Sequence, residues 1–236
     1  MKIPTPRTIA AVPVIIYSTA IFGSVAIVSS YVDKKGVVGQ WCTLGWAEVL
    51  RRAAGMNLSV SGIERVDPNR TYVVVSNHQS HMDTVALYCS SPVALRMLAK
   101  DSLFRIPIFG RAMKNLGHIV IYRGKGKKTD FDRLYQQVRG LISRNHSVMV
   151  FAEGSRSQDK RMQPFKAGAF TIAHRFDLPI LPVTIDGTFD ILEPHTVQFH
   201  TGNVKITYHD PIETAGKSVE DLVNQTHDAI GRGLAE

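Results

Sequence analysis

A histidine and an aspartate five positions apart, His78 and Asp83, stand just beyond the β-branched run Thr71 to Val75, in the segment Asn77-His78-Gln79-Ser80-His81-Met82-Asp83. On one unbroken α-helix five residues turn through about 140°, so the two side chains would face different ways. They meet only across a turn. With the strand ending near Ser76, His78 lies in the turn and Asp83 in the first turn of a helix, where its carboxylate folds back onto an imidazole nitrogen and orients a general base. No Gly-x-Ser-x-Gly elbow offers a protein nucleophile, so such a base suits activation of a substrate hydroxyl. Ser80 is the nearest hydroxyl and reads as the N-cap of the following helix. His78, His81 and Asp83 are also metal-ligand types, which keeps a metal-dependent hydrolase as a competing chemistry. The plainer role for His81 is to fill space or cap the helix.

Two further strand exits carry charge. The apolar run ending at Ala152 delivers Glu153-Gly154-Ser155-Arg156 to a loop. Gly154 permits close backbone approach, Ser155 can donate to an oxyanion or phosphate, and Arg156 brings a guanidinium fork matched to phosphate oxygens. Glu153 would position an arginine or accept from a substrate hydroxyl, against the plainer reading of a structural ion pair. The run from Gly117 ends in Arg123, which joins Lys100, at the end of another strand, as a candidate phosphate clamp. This arrangement serves a site only if the sheet brings those strand ends to one edge.

The elements that must do so follow from periodicity. Strands are expected at Thr71 to Val75, Val93 to Ala99, His118 to Tyr122, Ser147 to Ala152, Ile180 to Ile185 and Val204 to Tyr208. Helical patterns fall at Thr84 to Cys89, Pro107 to Asn115, Asp130 to Ser143, Ala167 to Arg175 and Val219 to Ala235. This alternation is the signature of an α/β layered fold. The loop Arg123 to Lys128, glycine-rich and basic, reads as a mobile phosphate-facing or membrane-facing loop.

At 236 residues and 44% hydrophobic content the chain has enough material for a sizeable core, which excludes a largely disordered protein. Two cysteines, Cys42 and Cys89, cannot build a disulfide framework or a four-thiolate zinc site. The net charge of +8 points to an anionic partner. It is not spread evenly: residues 96–175 hold 17 Lys and Arg against 5 Asp and Glu. One positive face is therefore expected, and nucleic acid is not the expected partner.

From Thr8 to Val32 the chain has 25 consecutive uncharged residues, about 37 Å as a helix against a hydrocarbon core of about 30 Å. Pro13 and Gly23 interrupt that helix and basic residues flank both ends, so a re-entrant hairpin fits as well as a span. The segment from Gly39 to Gly55, with Trp41, Trp46, Arg51 and Arg52, suits the lipid interface or a helix packed on the domain.

These blocks together resemble the glycerolipid acyltransferases that include the 1-acylglycerol-3-phosphate acyltransferases. The family's Asn-His-x-Ser-x-x-Asp block stands as Asn77 through Asp83, its Gly-x-Ile-x-Ile-x-Arg block as Gly117 through Arg123, and its Phe-Pro-Glu-Gly-Thr-Arg-Ser block as Phe151 through Ser157. A late Pro-Ile-x-Pro-Val block stands as Pro179 through Val183, and within the Phe151 to Ser157 block Ala152 replaces the usual proline and Ser155 the threonine. The resemblance implies a mixed central sheet flanked by helices over residues 59–236, and a membrane-embedded helix or re-entrant two-helix anchor over residues 1–58. It implies transfer of a fatty acyl group from acyl-CoA or acyl carrier protein to the 2-hydroxyl of lysophosphatidic acid, without metal or bound cofactor. His78 would be the base and Asp83 its orienting partner, while Lys100, Arg123, Glu153, Gly154, Ser155 and Arg156 would hold the acceptor. The enzyme would work on the cytoplasmic face of a membrane, anchored through residues 8–55. Another lysolipid acceptor, the metal-dependent hydrolase, and a membrane-tethered module that binds anionic lipid without chemistry are the alternatives.

Overall fold

Runs of β-branched residues become strands here because a central sheet is covered on both faces. The computed structural model describes residues 4–33, 36–122 and 129–235. Seven strands form one sheet: β1 Met56–Ser61, β2 Val73–Ser76, β3 Leu95–Lys100, β4 Ile119–Ile121, β5 Ser147–Phe151, β6 Ile180–Asp186 and β7 Gly202–Tyr208. Their order is β1-β7-β6-β2-β5-β3-β4. All neighbours are parallel except β6 and β7, so the sheet is mixed. The helices are α1 Pro6–Ser29, α2 Val37–Ala54, α3 Met82–Ser90, α4 Phe109–Asn115, α5 Phe131–Ile142, α6 Gly168–Arg175, α7 Thr188–Ile191 and α8 Val219–Ala235. Each expected strand and helix after residue 70 forms, with ends displaced by at most two residues.

Alternation along the central strands feeds two cores. Val74, Met149, Leu181 and Val183 pack with Leu50 of α2 and Leu87 of α3. Val73, Val75, Val148 and Ile180 pack on the opposite face with Val138 of α5, Phe170 of α6 and Leu222 of α8. Helix layer, sheet and helix layer make the α/β architecture the pattern predicts.

The N-terminal element differs from expectation in detail. α1 is one continuous helix through Pro13 and Gly23, although Pro13 removes one backbone donor. Thr5 caps it, accepting from the Thr8 N–H, with Pro6 in the first turn. Gly23 is a packing position: a Cβ there would stand 2.7 Å from the Ile108 Cγ2. α2 returns antiparallel to α1, with the Trp46 indole donating to the Thr19 hydroxyl at 3.0 Å and Gly45 against the Phe22 ring. Both ends of this hairpin meet one segment of the domain. The Thr5 hydroxyl donates to the Phe199 carbonyl at 2.9 Å, and the Gly202 N–H donates to the Gly55 carbonyl at 3.2 Å. The hairpin's outer face is apolar: Ile9, Ile16, Tyr17, Ile21, Val28 and Trp41 are each 61% to 74% exposed. Trp46 instead turns inward onto Phe109, ring centroids 5.7 Å apart.

α2 passes into the sheet through a single residue, Gly55, whose left-handed φ of 72° closes the helix by donating to the Arg51 and Arg52 carbonyls. The strand that follows, β1, is not foreseen from the sequence, because only Met56 of its six residues is buried. Parallel pairing with β7 holds it, and the division expected between residues 58 and 59 falls inside it.

Candidate active site

Parallel strands deliver their C-terminal ends to one edge of a sheet, and in this one β2, β5 and β3 are consecutive neighbours. The His78 turn, the Glu153 loop and Lys100 are therefore carried to the same edge.

The β2 exit is built tightly. The Asn77 side chain donates to the Ile185 carbonyl at 2.8 Å and accepts from the Ile185 N–H at 2.9 Å, standing in for a backbone pair that joins the end of β2 to β6. The chain then turns so that the Asp83 carboxylate, fully buried, reaches back to His78. One carboxylate oxygen accepts from the Gln79 and Ser80 N–H groups at 2.7 and 2.8 Å and lies 2.7 Å from His78 Nδ1. The other accepts from the Thr188 hydroxyl of α7. A carboxylate only accepts, so His78 Nδ1 carries the hydrogen and Nε2 keeps its lone pair. The meeting of His78 and Asp83 across a turn, rather than along one helix, is the geometry the five-residue spacing requires. Ser80 contributes its hydroxyl to the Leu192 carbonyl at 2.6 Å and accepts from the Met82 N–H at 3.3 Å, tying the start of α3 to the end of α7.

The imidazole is fixed from below as well. It stacks on Phe151 with ring centroids 4.0 Å apart and planes 10° from parallel. The His78 N–H donates to one Glu153 oxygen at 2.7 Å, the Gln163 N–H donates to the other at 3.0 Å, and the Ser157 N–H donates to the His78 carbonyl at 2.8 Å. Glu153, expected to meet an arginine or the substrate, thus turns inward, 3% exposed, and braces the β2 turn against the β5 loop. Burial pushes its carboxyl up, opposed by those two backbone N–H groups.

His78 opens on a groove of about 610 Å³ whose lining includes Lys100, Gly154, Ser155, Arg156 and His195. Gly154 takes a left-handed φ of 79°, and a Cβ there would sit 2.8 Å from the Lys166 ammonium. Arg123, expected in the same clamp, and the basic loop to Lys128 lie outside the described residues. His81 also lines the groove but does not join His78 and Asp83 as a ligand set: among the described residues no three His, Cys, Asp or Glu side chains converge to hold an ion. Thr188 and His195 are additions to the site that sequence reasoning missed, since neither sits in a motif.

Two apolar recesses adjoin the groove. One, of about 580 Å³, lies behind Phe151 between α5 and α6 and is lined by Leu98, Phe131, Leu134 and Val150. A smaller one, about 60 Å³, shares Thr84 and Met97 with the groove and runs under the hairpin between Phe22, Gly23, Trp46 and Phe109.

Comparison with known proteins follows the same lines. A family model described as Acyltransferase matches residues 57–186. The chloroplastic 1-acyl-sn-glycerol-3-phosphate acyltransferase of Brassica napus is 32% identical over 177 residues, 74% of this chain and 50% of its own. The 1-acyl-sn-glycerol-3-phosphate acyltransferase of Saccharomyces cerevisiae is 29% identical over 213 residues, 89% of this chain and 67% of its own. This chain therefore spans half to two thirds of the length of these two relatives. The crystal structure of the 1-acyl-sn-glycerophosphate acyltransferase PlsC from Thermotoga maritima superimposes with a TM-score of 0.82 at 22% identity, covering 96% of this chain and 92% of that one. That likeness establishes the fold.

Proposed function

We propose that this chain, which belongs to the acyltransferase family, moves a fatty acyl group from an acyl thioester to the 2-hydroxyl of lysophosphatidic acid, giving phosphatidic acid. The observation that carries this reading is the His78 to Asp83 hydrogen bond, which leaves Nε2 as a base lining the groove. Nε2 removes the hydroxyl proton as the oxygen bonds to the thioester carbonyl carbon. The buried Asp83 carboxylate stabilises the imidazolium so formed. When the tetrahedral intermediate collapses the carbon–sulfur bond breaks, and the thiolate takes the proton back from Nε2.

Lys100 and Arg156 are the cations assigned to the acceptor phosphate, with Arg123 added on its place in the motif. Gly154 and Ser155 belong to the same cradle, with Glu153 bracing it from behind. The apolar recesses adjoining the groove suit fatty acyl chains. α1, 24 residues long, is long and apolar enough to enter a bilayer, and its partner α2 returns both ends of the hairpin to the domain. The exposed apolar face of the pair therefore lies in one leaflet and holds the groove at the surface where lysolipid partitions. The cytoplasmic face is the side from which coenzyme A and acyl carrier protein thioesters can reach it.

The acceptor and donor are tested together by mass spectrometry of products from detergent-solubilised protein, lysophosphatidic acid and either thioester, with lysophosphatidylcholine as a competing acceptor. Phosphatidic acid is the expected product. Acylation of the competitor in preference would overturn the assignment of the acceptor.

A further inference from the structure

The groove sits at the C-terminal end of β3, where Lys100 ends the strand, whereas Arg96 lies near its start and is 2% exposed. The Arg96 guanidinium donates to the carbonyls of Leu116 and Leu95 at 2.7 and 2.8 Å, to Gln40 Oε1 at 2.9 Å and to His146 Nε2 at 3.3 Å. Every one of these acceptors is neutral. Among the described residues no carboxylate pairs with this cation, and an unpaired buried charge is costly to keep.

The same place holds a polar cavity of about 130 Å³ lined by Arg96, Arg144, His146, Ser30, Asn115 and Asp33, room enough for a few waters or one tetrahedral oxyanion. Since His146 accepts from Arg96 at Nε2, its hydrogen is on Nδ1, and that Nδ1 is buried with no hydrogen-bond partner. Arg144 spends its Nε on the Gly140 carbonyl at 3.0 Å and sits at the exposed side of the cavity. The one acid, Asp33, accepts from the Gly36 and Val38 N–H groups at 3.0 and 2.6 Å at the start of α2. Two guanidinium groups around one cavity are the complement of an oxyanion, and the imidazole that carries the orphaned N–H is part of the same lining.

What that anion is attached to follows from the rim. The cavity lies at the turn of the hairpin, and beside it Val28, Tyr31, Val32 and Val37 are 53% to 80% exposed. A phosphate in the cavity would therefore have apolar surface next to it, as a lipid headgroup requires and a free ion does not. We infer that this cavity binds the phosphate of an anionic phospholipid whose acyl chains lie along the exposed turn of the hairpin, a lipid site separate from the catalytic groove. This rests on the reading that the hairpin lies in a membrane.

The test is vesicle co-sedimentation of the full chain on phosphatidylcholine alone and on phosphatidylcholine with phosphatidylglycerol. Binding of wild type to phosphatidylcholine checks the membrane reading by itself, and the added affinity given by phosphatidylglycerol checks the cavity. Arg133→Gln, an equal loss of charge at the far end of α5, should lower that added affinity at most about fivefold, the effect of one surface cation. Arg144→Gln and His146→Ala should each lower it about tenfold or more, with phosphatidylcholine binding unchanged. Losses no larger than that of Arg133→Gln would overturn the site. A rise in melting temperature with inorganic phosphate that needs Arg144, with equal vesicle binding by all variants, would assign the cavity to a soluble anion and overturn the lipid. Arg144 is exposed, so its variant is expected to fold even if replacements of Arg96 do not.

Discussion

Asp83→Asn separates the charge of the carboxylate from its shape. One Asp83 oxygen holds the turn through the Gln79 and Ser80 N–H groups and His78 Nδ1, and the other takes the Thr188 hydroxyl. An asparagine can keep its carbonyl oxygen toward the three donors and turn its amide toward Thr188, whose hydroxyl then accepts. The turn and the His78 tautomer survive, and what disappears is the negative charge facing the imidazolium. Opposite charges about 4 Å apart interact by about 4 kcal/mol at an effective dielectric of about 20. His78 is 17% exposed while Asp83 is fully buried, so somewhat less than this is expected, about 3 to 4 kcal/mol. At about 1.4 kcal/mol per tenfold, kcat should fall about 10² to 10³-fold with little change in KM. Thiol released from whichever acyl thioester serves as donor, at saturating lysophosphatidic acid, measures this, with the melting temperature as a check on folding. Thr188→Val, which leaves the charge but removes a buried partner, should cost about tenfold in rate and about 1 to 2 kcal/mol in stability. An Asp83→Asn enzyme that folds and works within about threefold of wild type would refute the role given to the carboxylate.

Glu153→Ala removes the acceptor of two backbone N–H groups, those of His78 and Gln163, so unfolding in urea should show a loss of about 2 to 5 kcal/mol; a loss below about 1 kcal/mol would show that the loop is braced otherwise. Buried His118 accepts from the Met97 N–H at 2.9 Å, and burial, then Arg96 and His146, hold its pKa down at about 3. Its neutral form is needed in the fold, so its contribution is complete above the unfolded value near 6.5 and is lost as pH falls from there toward 3, by about 1.4 kcal/mol per pH unit. Urea midpoints measured between pH 7 and pH 5 should therefore fall less steeply in His118→Gln than in wild type, and equal slopes would contradict this. Lys100→Ala should raise KM for lysophosphatidic acid about tenfold with kcat little changed, whereas an unchanged KM would remove Lys100 from the phosphate.

The parts of this fold that were legible in the sequence are those where burial leaves a local mark. β2, β5 and β6 are covered on both faces, so Val73 to Val75, Val148 to Val150 and Ile180 to Val183 stand out as apolar runs. β1 leaves none, because its stability comes from pairing with β7 some 146 residues away. α7 is four residues long and has no period to detect. Pro13 reads as a break, yet one lost hydrogen bond does not outweigh packing of α1 along α2. At the candidate site, His78 and Asp83 were readable together because seven residues contain the whole turn. Thr188 and His195 reach it from more than a hundred positions away, which only the finished sheet arranges. Glu153 was readable as a strand-exit acid, but that it faces inward to two backbone donors depends on the loop conformation, to which composition is blind.

In the proposed reaction His78 Nε2 takes the proton of a lysolipid hydroxyl. Its most direct test is His78→Ala, assayed by mass spectrometry for phosphatidic acid formed from lysophosphatidic acid and an acyl thioester, with vesicle binding and circular dichroism run on the same preparation. General-base assistance of this kind is worth about 10² to 10⁴-fold. Product formation should fall by that much or more, with folding and vesicle binding retained. Turnover near that of wild type in a folded, membrane-binding His78→Ala protein would contradict it.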